Sequence, residues 1–195
     1  LGARVLGQWL ARWLALFPKG QPLARDYSDN DFYWIREVGK EAPLAFLQAV
    51  LPSIVESIKR DQRALLSKEI PFSIFRRALI DDEGEPREYL GVAHAALKTV
   101  AVDKPDEVEA LLEQVPVDTI PGLYLHLEAI AANGEGLHHR LTHLLENPNL
   151  MKAGKDGVAW QSFAEAAASC MSHLEPADRM KVEAVLSGNQ PELEL

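Results

Sequence analysis

Helix-start signals recur in the second half of this sequence near Pro86, Pro121 and Asp156, about 35 residues apart, a period characteristic of stacked two-helix repeats. Each interval holds a long first segment with apolar residues at helical spacing (87–102, 122–132 and 157–172), then a second (105–115, 135–146 and 176–186). Pro105 and Pro176 stand at the first position of their segments, where a missing N–H costs nothing and the fixed φ favours a helix. The second segments share paired aliphatics near their ends: Leu111-Leu112, Leu144-Leu145 and Val185-Leu186. One such pair cannot bury its apolar face alone, so each must stack on its neighbour. The expected fold is all-α, an alpha-solenoid of stacked antiparallel helix pairs of the TPR/HEAT kind.

Upstream the same rules place an amphipathic helix on Leu6, Trp9, Leu10, Trp13, Leu14 and Phe17. A second helix is capped by Asp29 or Asn30 and carries Phe32, Trp34, Ile35 and Val38. Pro43 starts a third, over 44–58, which Pro52 should kink or split after Leu51, since it removes a backbone donor. Residues 61–85 read as an irregular connection, broken at Ile70-Pro71 and ending in the acidic run 81–85. The expected organisation is therefore 1–60, with the N-terminal helices and a first hairpin; 61–85, the connection with a short helix; and 86–195, three helix-pair repeats. The chain opens on Leu1 directly in a helical pattern, with no signal peptide before it, as a piece cut from a longer protein would.

With 195 residues, 47% of them hydrophobic, the chain can build a sizeable core. A net charge of −9, with no basic run, opposes nucleic acid and anionic membranes as partners. No stretch approaches the roughly 18 uninterrupted apolar residues of a membrane span; the best, 5–17, is cut by Gln8 and Arg12. The single cysteine, Cys170, excludes an internal disulfide and fits a reducing, cytoplasmic compartment.

Four patterns invite chemistry. Asp26, Ser28, Asn30 and Glu37 occupy positions one, three, five and twelve of a calcium loop. Asp31 stands where that loop needs Gly, and Tyr33 where it takes an aliphatic residue, so capping accounts for the cluster better. His139 and His143, one helical turn apart beside His138, Glu135 and Glu146, could share a metal. They lack the Glu of the His-Glu-x-x-His hydrolase arrangement and read as a solvated helix face. Cys170 has His173 three residues on but no cation to depress its pKa, and reads as buried filler. Gly154-Lys155-Asp156-Gly157 lacks the spacing and the Ser or Thr of a phosphate loop and reads as a turn. Trp9, Trp13, Trp34 and Trp160 fall among aliphatics as core residues do. The expected catalytic, cofactor-binding and metal residues are none, and no cofactor is implied.

Several landmarks are similar to those of one known group. Tyr89 with Ala95-Ala96-Leu97, the helix start Lys104-Pro105-Asp106, and Leu144-Leu145-Glu146-Asn147-Pro148 leading to Leu150, Gly154 and Trp160 resemble the C-terminal helical-repeat regions of large bacterial STAND-type NTPases. Phe46-Leu47 and Val50-Leu51-Pro52 are similar to an earlier repeat of such arrays. The resemblance covers over half the chain and rests on packing and capping residues. It implies that an NTPase core and an effector elsewhere do the chemistry of antiviral defence while the repeats sense a ligand, often a foreign protein. Only that sensing role carries over, for this sequence has neither phosphate loop nor effector signature, and no functional residue transfers. The expected function is a non-catalytic, protein-binding or autoinhibitory segment facing a foreign ligand or its own chain, with self-association through exposed repeat ends. A structural spacer is the alternative, and a metal-dependent hydrolase using the helix from His138 to His143 a more remote one.

Overall fold

The computed structural model describes residues 29–68, 89–146 and 158–187, and among these it contains eight helices and no strand. They are α1 (Asp29–Glu41), α2 (Pro43–Lys68), α3 (Tyr89–Asp103), α4 (Pro105–Leu112), α5 (Ile120–Ala132), α6 (Gly134–Leu144), α7 (Val158–Cys170) and α8 (Pro176–Leu186). The all-helical expectation holds, and helix-start chemistry explains where the elements begin. Thr119 caps α5, its hydroxyl accepting from the Gly122 N–H at 3.0 Å. Asn133 caps α6 by accepting from the Gly136 N–H at 2.9 Å. Lys104 and Glu175, before α4 and α8, form no side-chain cap; there Pro105 and Pro176 take the first helical position, where a missing N–H costs nothing and the fixed φ favours the helix.

Two sequence expectations need correction. Of the kink or split expected at Pro52, the split does not occur, for α2 runs through it to Lys68. Pro52 and Gln48, whose carbonyl loses its helical donor, are both exposed, so the lost bond falls on the solvent side of the helix, where it costs least. By the same token 61–68 is helix rather than irregular connection. The remainder of that connection and the helix expected around Trp9 lie outside the described residues.

The contacts between helices have an order. α3 packs on α5 and α5 on α7, while α4 packs on α6, and α1 and α2 both cover α3. His94 reaches Glu128 near mid-helix and Asn133 reaches the Ala101 carbonyl near the ends, so α3 and α5 lie side by side and run in the same direction. Glu109 meets His139 and Arg140, and Pro105 borders Gly136, which aligns α4 with α6 likewise.

One continuous apolar cluster links these elements, from Ile35 in α1 to Val185 in α8. At its centre is α5, every residue of which from Gly122 to Ile130 is buried. A helix enclosed around its whole circumference belongs to an interior, not to an amphipathic surface. At the far end Val182 and Val185 face the core, while Met180 is 64% exposed.

Candidate functional site

The polar chemistry of the described residues gathers where α3 meets α5 and where α4 meets α6, away from most places the sequence suggests. Asp29 to Glu37 lie within α1, so the calcium-loop register is not adopted there; Asp26 and Ser28 lie outside the described residues, as do 154–157. Trp34 and Trp160 lie in α1 and α7. Cys170 is fully buried, and burial pushes its thiol up to about 11, against a weak contact from the Ser169 hydroxyl. At that pKa it is no nucleophile.

The inner seam joins α3 to α5. From α3, His94 Nε2 donates to Glu128 Oε2 at 3.0 Å and Lys98 Nζ donates to the same oxygen at 3.2 Å. The Glu128 side chain is 4% exposed and that of Lys98 44%, so the ammonium descends from the surface onto a buried carboxylate. The imidazole also lies 5.3 Å, centre to centre, from the Tyr124 ring. Burial opposes ionisation of Glu128. The hydrogen bond and charge of His94, with the charge and hydrogen bond of Lys98, outweigh it and hold the carboxyl down at about 2. The other oxygen, Oε1, is buried without a hydrogen-bond partner.

The outer seam joins α4 to α6. His139 Nε2 lies 2.6 Å from Glu109 Oε1, and Arg140 donates through Nη2 to the Glu109 backbone carbonyl at 2.8 Å. The His139 hydrogen bond leads the forces that lower the Glu109 pKa. His138 Nδ1 donates to the Glu135 carbonyl at 2.8 Å, and its ring lies 5.8 Å from that of His139 and 6.2 Å from that of His173. His143 is exposed. The fold thus commits His139 to a carboxylate rather than pairing it with His143, and brings up a histidine from another element. No group of three His, Cys, Asp or Glu side chains among the described residues converges as a ready metal site.

A third buried histidine, His126, donates to the Val115 carbonyl at 3.1 Å. Burial, outweighing that hydrogen bond, drops its pKa to about 4 and leaves it neutral. Sequence reading overlooked His94, His126 and Glu128. For His126 and Glu128 the available signal was their placement within the otherwise apolar stretch from Leu123 to Ile130, where they must find partners or stay out of the core. No helix among the described residues is long and apolar enough to cross a membrane. No protein family, curated protein or solved structure matches this sequence.

Proposed function

We propose that this chain is a non-catalytic segment built as an alpha-solenoid of stacked helix pairs, and that it acts by presenting a helical surface to a protein partner. The supporting observation is the offset of its polar ties. His94 to Glu128 spans 34 residues, Ala101 to Asn133 spans 32, and Glu109 to His139 spans 30. Ties that join residues 30 to 39 positions apart, from Glu109–His139 to Ile130–Ser169, suit a chain in which each helix pair rests on the next. α5 exposes nothing from Gly122 to Ile130, so in the middle pair the surface left for a partner belongs to the second helix. On and beside α4 lie exposed Asp103, Asp106, Glu107, Glu113 and Asp118, and such a field suits a partner with basic patches.

The enclosure of α5 also favours a second reading, a structural spacer, since a fully buried first helix withdraws the face on which repeat arrays commonly take ligands. Support for the STAND-type defence reading is limited to the packing and capping residues that resemble those arrays. The hydrolase alternative lacks converging ligands around the histidines.

A selection separates binder from spacer. A displayed protein library is panned on the immobilised chain and counter-selected on a variant with Asp106→Lys, Glu107→Lys and Glu113→Lys. Basic ligands that bind the chain and lose affinity for the variant are expected. Selection of none that discriminates would leave the spacer standing. Calorimetric titration with Mg-ATP should show no binding heat, and tight nucleotide binding would refute the non-catalytic reading.

A further inference from the structure

We propose that His138 and His173 together form a binding site for a divalent first-row transition metal, with copper(II) the tightest, and that the ion clamps α6 to the turn ahead of α8. This is independent of the protein-binding reading.

The inference begins with the tautomer of His138. Its Nδ1 faces the Glu135 carbonyl at 2.8 Å, and a carbonyl only accepts, so the proton sits on Nδ1. The lone pair of the neutral ring is then on Nε2, and the ring is fixed in orientation. Imidazole ligands of metals are commonly prepared in this way, by donating the other ring N–H to a carbonyl or carboxylate. The second ligand comes from another element. His173 stands in the turn after α7, its backbone N–H donating to the Cys170 carbonyl at 2.8 Å, while its side chain is exposed. The two rings are 6.2 Å apart and inclined by 31°. An ion bound at about 2.0–2.1 Å by each of two imidazoles holds their centres roughly 5–6 Å apart, within reach of a small rotation of the exposed ring. Water completes the shell.

The competing pair on one helix is compromised, because His139 Nε2 is held by Glu109 at 2.6 Å. Imidazole donors suit copper, nickel and zinc, and affinity among divalent ions peaks at copper. A chain of net charge −9 further concentrates cations near its surface.

The test is a titration of the full chain, free of any affinity tag, with copper(II) near neutral pH, followed by calorimetry and by the visible absorption of the bound ion. Wild type should bind one ion with a micromolar dissociation constant. His173→Ala should weaken binding at least about tenfold by removing one of two ligands, whereas His143→Ala should change it less than about twofold. Unchanged melting of the metal-free His173→Ala variant shows that the fold is intact. The proposal is overturned if wild type does not bind copper below millimolar concentration, if His173→Ala leaves the affinity unchanged, or if His143→Ala costs as much as His173→Ala.

Discussion

Replacing Glu128 by Gln keeps the shape of the inner seam and removes its charge, so the substitution isolates what ionisation contributes. The carboxyl is held at about 2, against an ordinary value of 4.5. Each unit of that depression corresponds to 1.36 kcal/mol, so the folded protein prefers the ionised over the neutral group by about 3 kcal/mol. Glutamine mimics the neutral form: its carbonyl still accepts from His94 and Lys98, but without charge assistance. Glu128→Gln should therefore cost about 3 kcal/mol at neutral pH, a large share of the 5–15 kcal/mol typical of a domain. The sign of the pH dependence follows from linkage. A depressed pKa stabilises above the unfolded value and ceases to do so as pH falls through the folded one. The difference between wild type and variant should thus be full above pH 4.5 and shrink toward zero as pH falls to about 2. Urea unfolding followed by far-UV circular dichroism, at a series of pH values and with equal slopes, measures this directly. A cost that does not vary between pH 6 and pH 3, or a variant more stable than wild type, would refute the reasoning. The first outcome would mean that Glu128 is not ionised through its partners, and the second that its desolvation exceeds their attraction.

Two further outcomes follow from packing. A Cβ on Gly134 would overlap the Ser169 carbonyl and crowd its hydroxyl; because the obstacle is backbone, Gly134→Ala should cost about 1–3 kcal/mol and lower the melting temperature by at least about 3 °C. Cys170, buried and with its thiol raised to about 11, should react with a thiol reagent at neutral pH only after unfolding; rapid labelling of the native protein would contradict its placement.

The helices were legible where their signals are local. Proline at a first turn and apolar residues at helical spacing act within a few residues, and the bounds of α4, α5, α6 and α8 follow them to within a few positions. The split expected at Pro52 did not follow, because the cost of a helical proline depends on its surroundings and both Pro52 and Gln48 are exposed. The His138 to His143 helix was identified, but spacing could not reveal that Glu109 takes His139 or that His173 arrives beside His138. The inner seam was less legible still. His94 and Glu128 are 34 residues apart, and only the stacking of α3 on α5 makes them partners. Asn133 shows both levels in one residue: its oxygen caps α6, as local rules require, while its amide donates to Ala101 across the pair seam at 2.7 Å.

That division bears on what fixes the arrangement. The apolar contacts between α3, α5 and α7 are largely Leu, Val and Ala, and such contacts are non-directional. Two helices offering aliphatic rows can slip by a turn and bury nearly as much surface. The polar ties are more directional, because each sets a particular donor against a particular acceptor. Ser169 reaches the Ile130 carbonyl from α7 at 2.9 Å, as Asn133 reaches Ala101 from the end of α5, so a side chain donating to a backbone carbonyl ties α7 to α5 and α5 to α3. Glu128 adds the inverse constraint. A buried carboxylate in the wrong register would face aliphatic side chains without His94 or Lys98, a state that costs several kcal/mol. The charge thus acts twice, by stabilising the native packing through its partners and by destabilising any packing displaced from them.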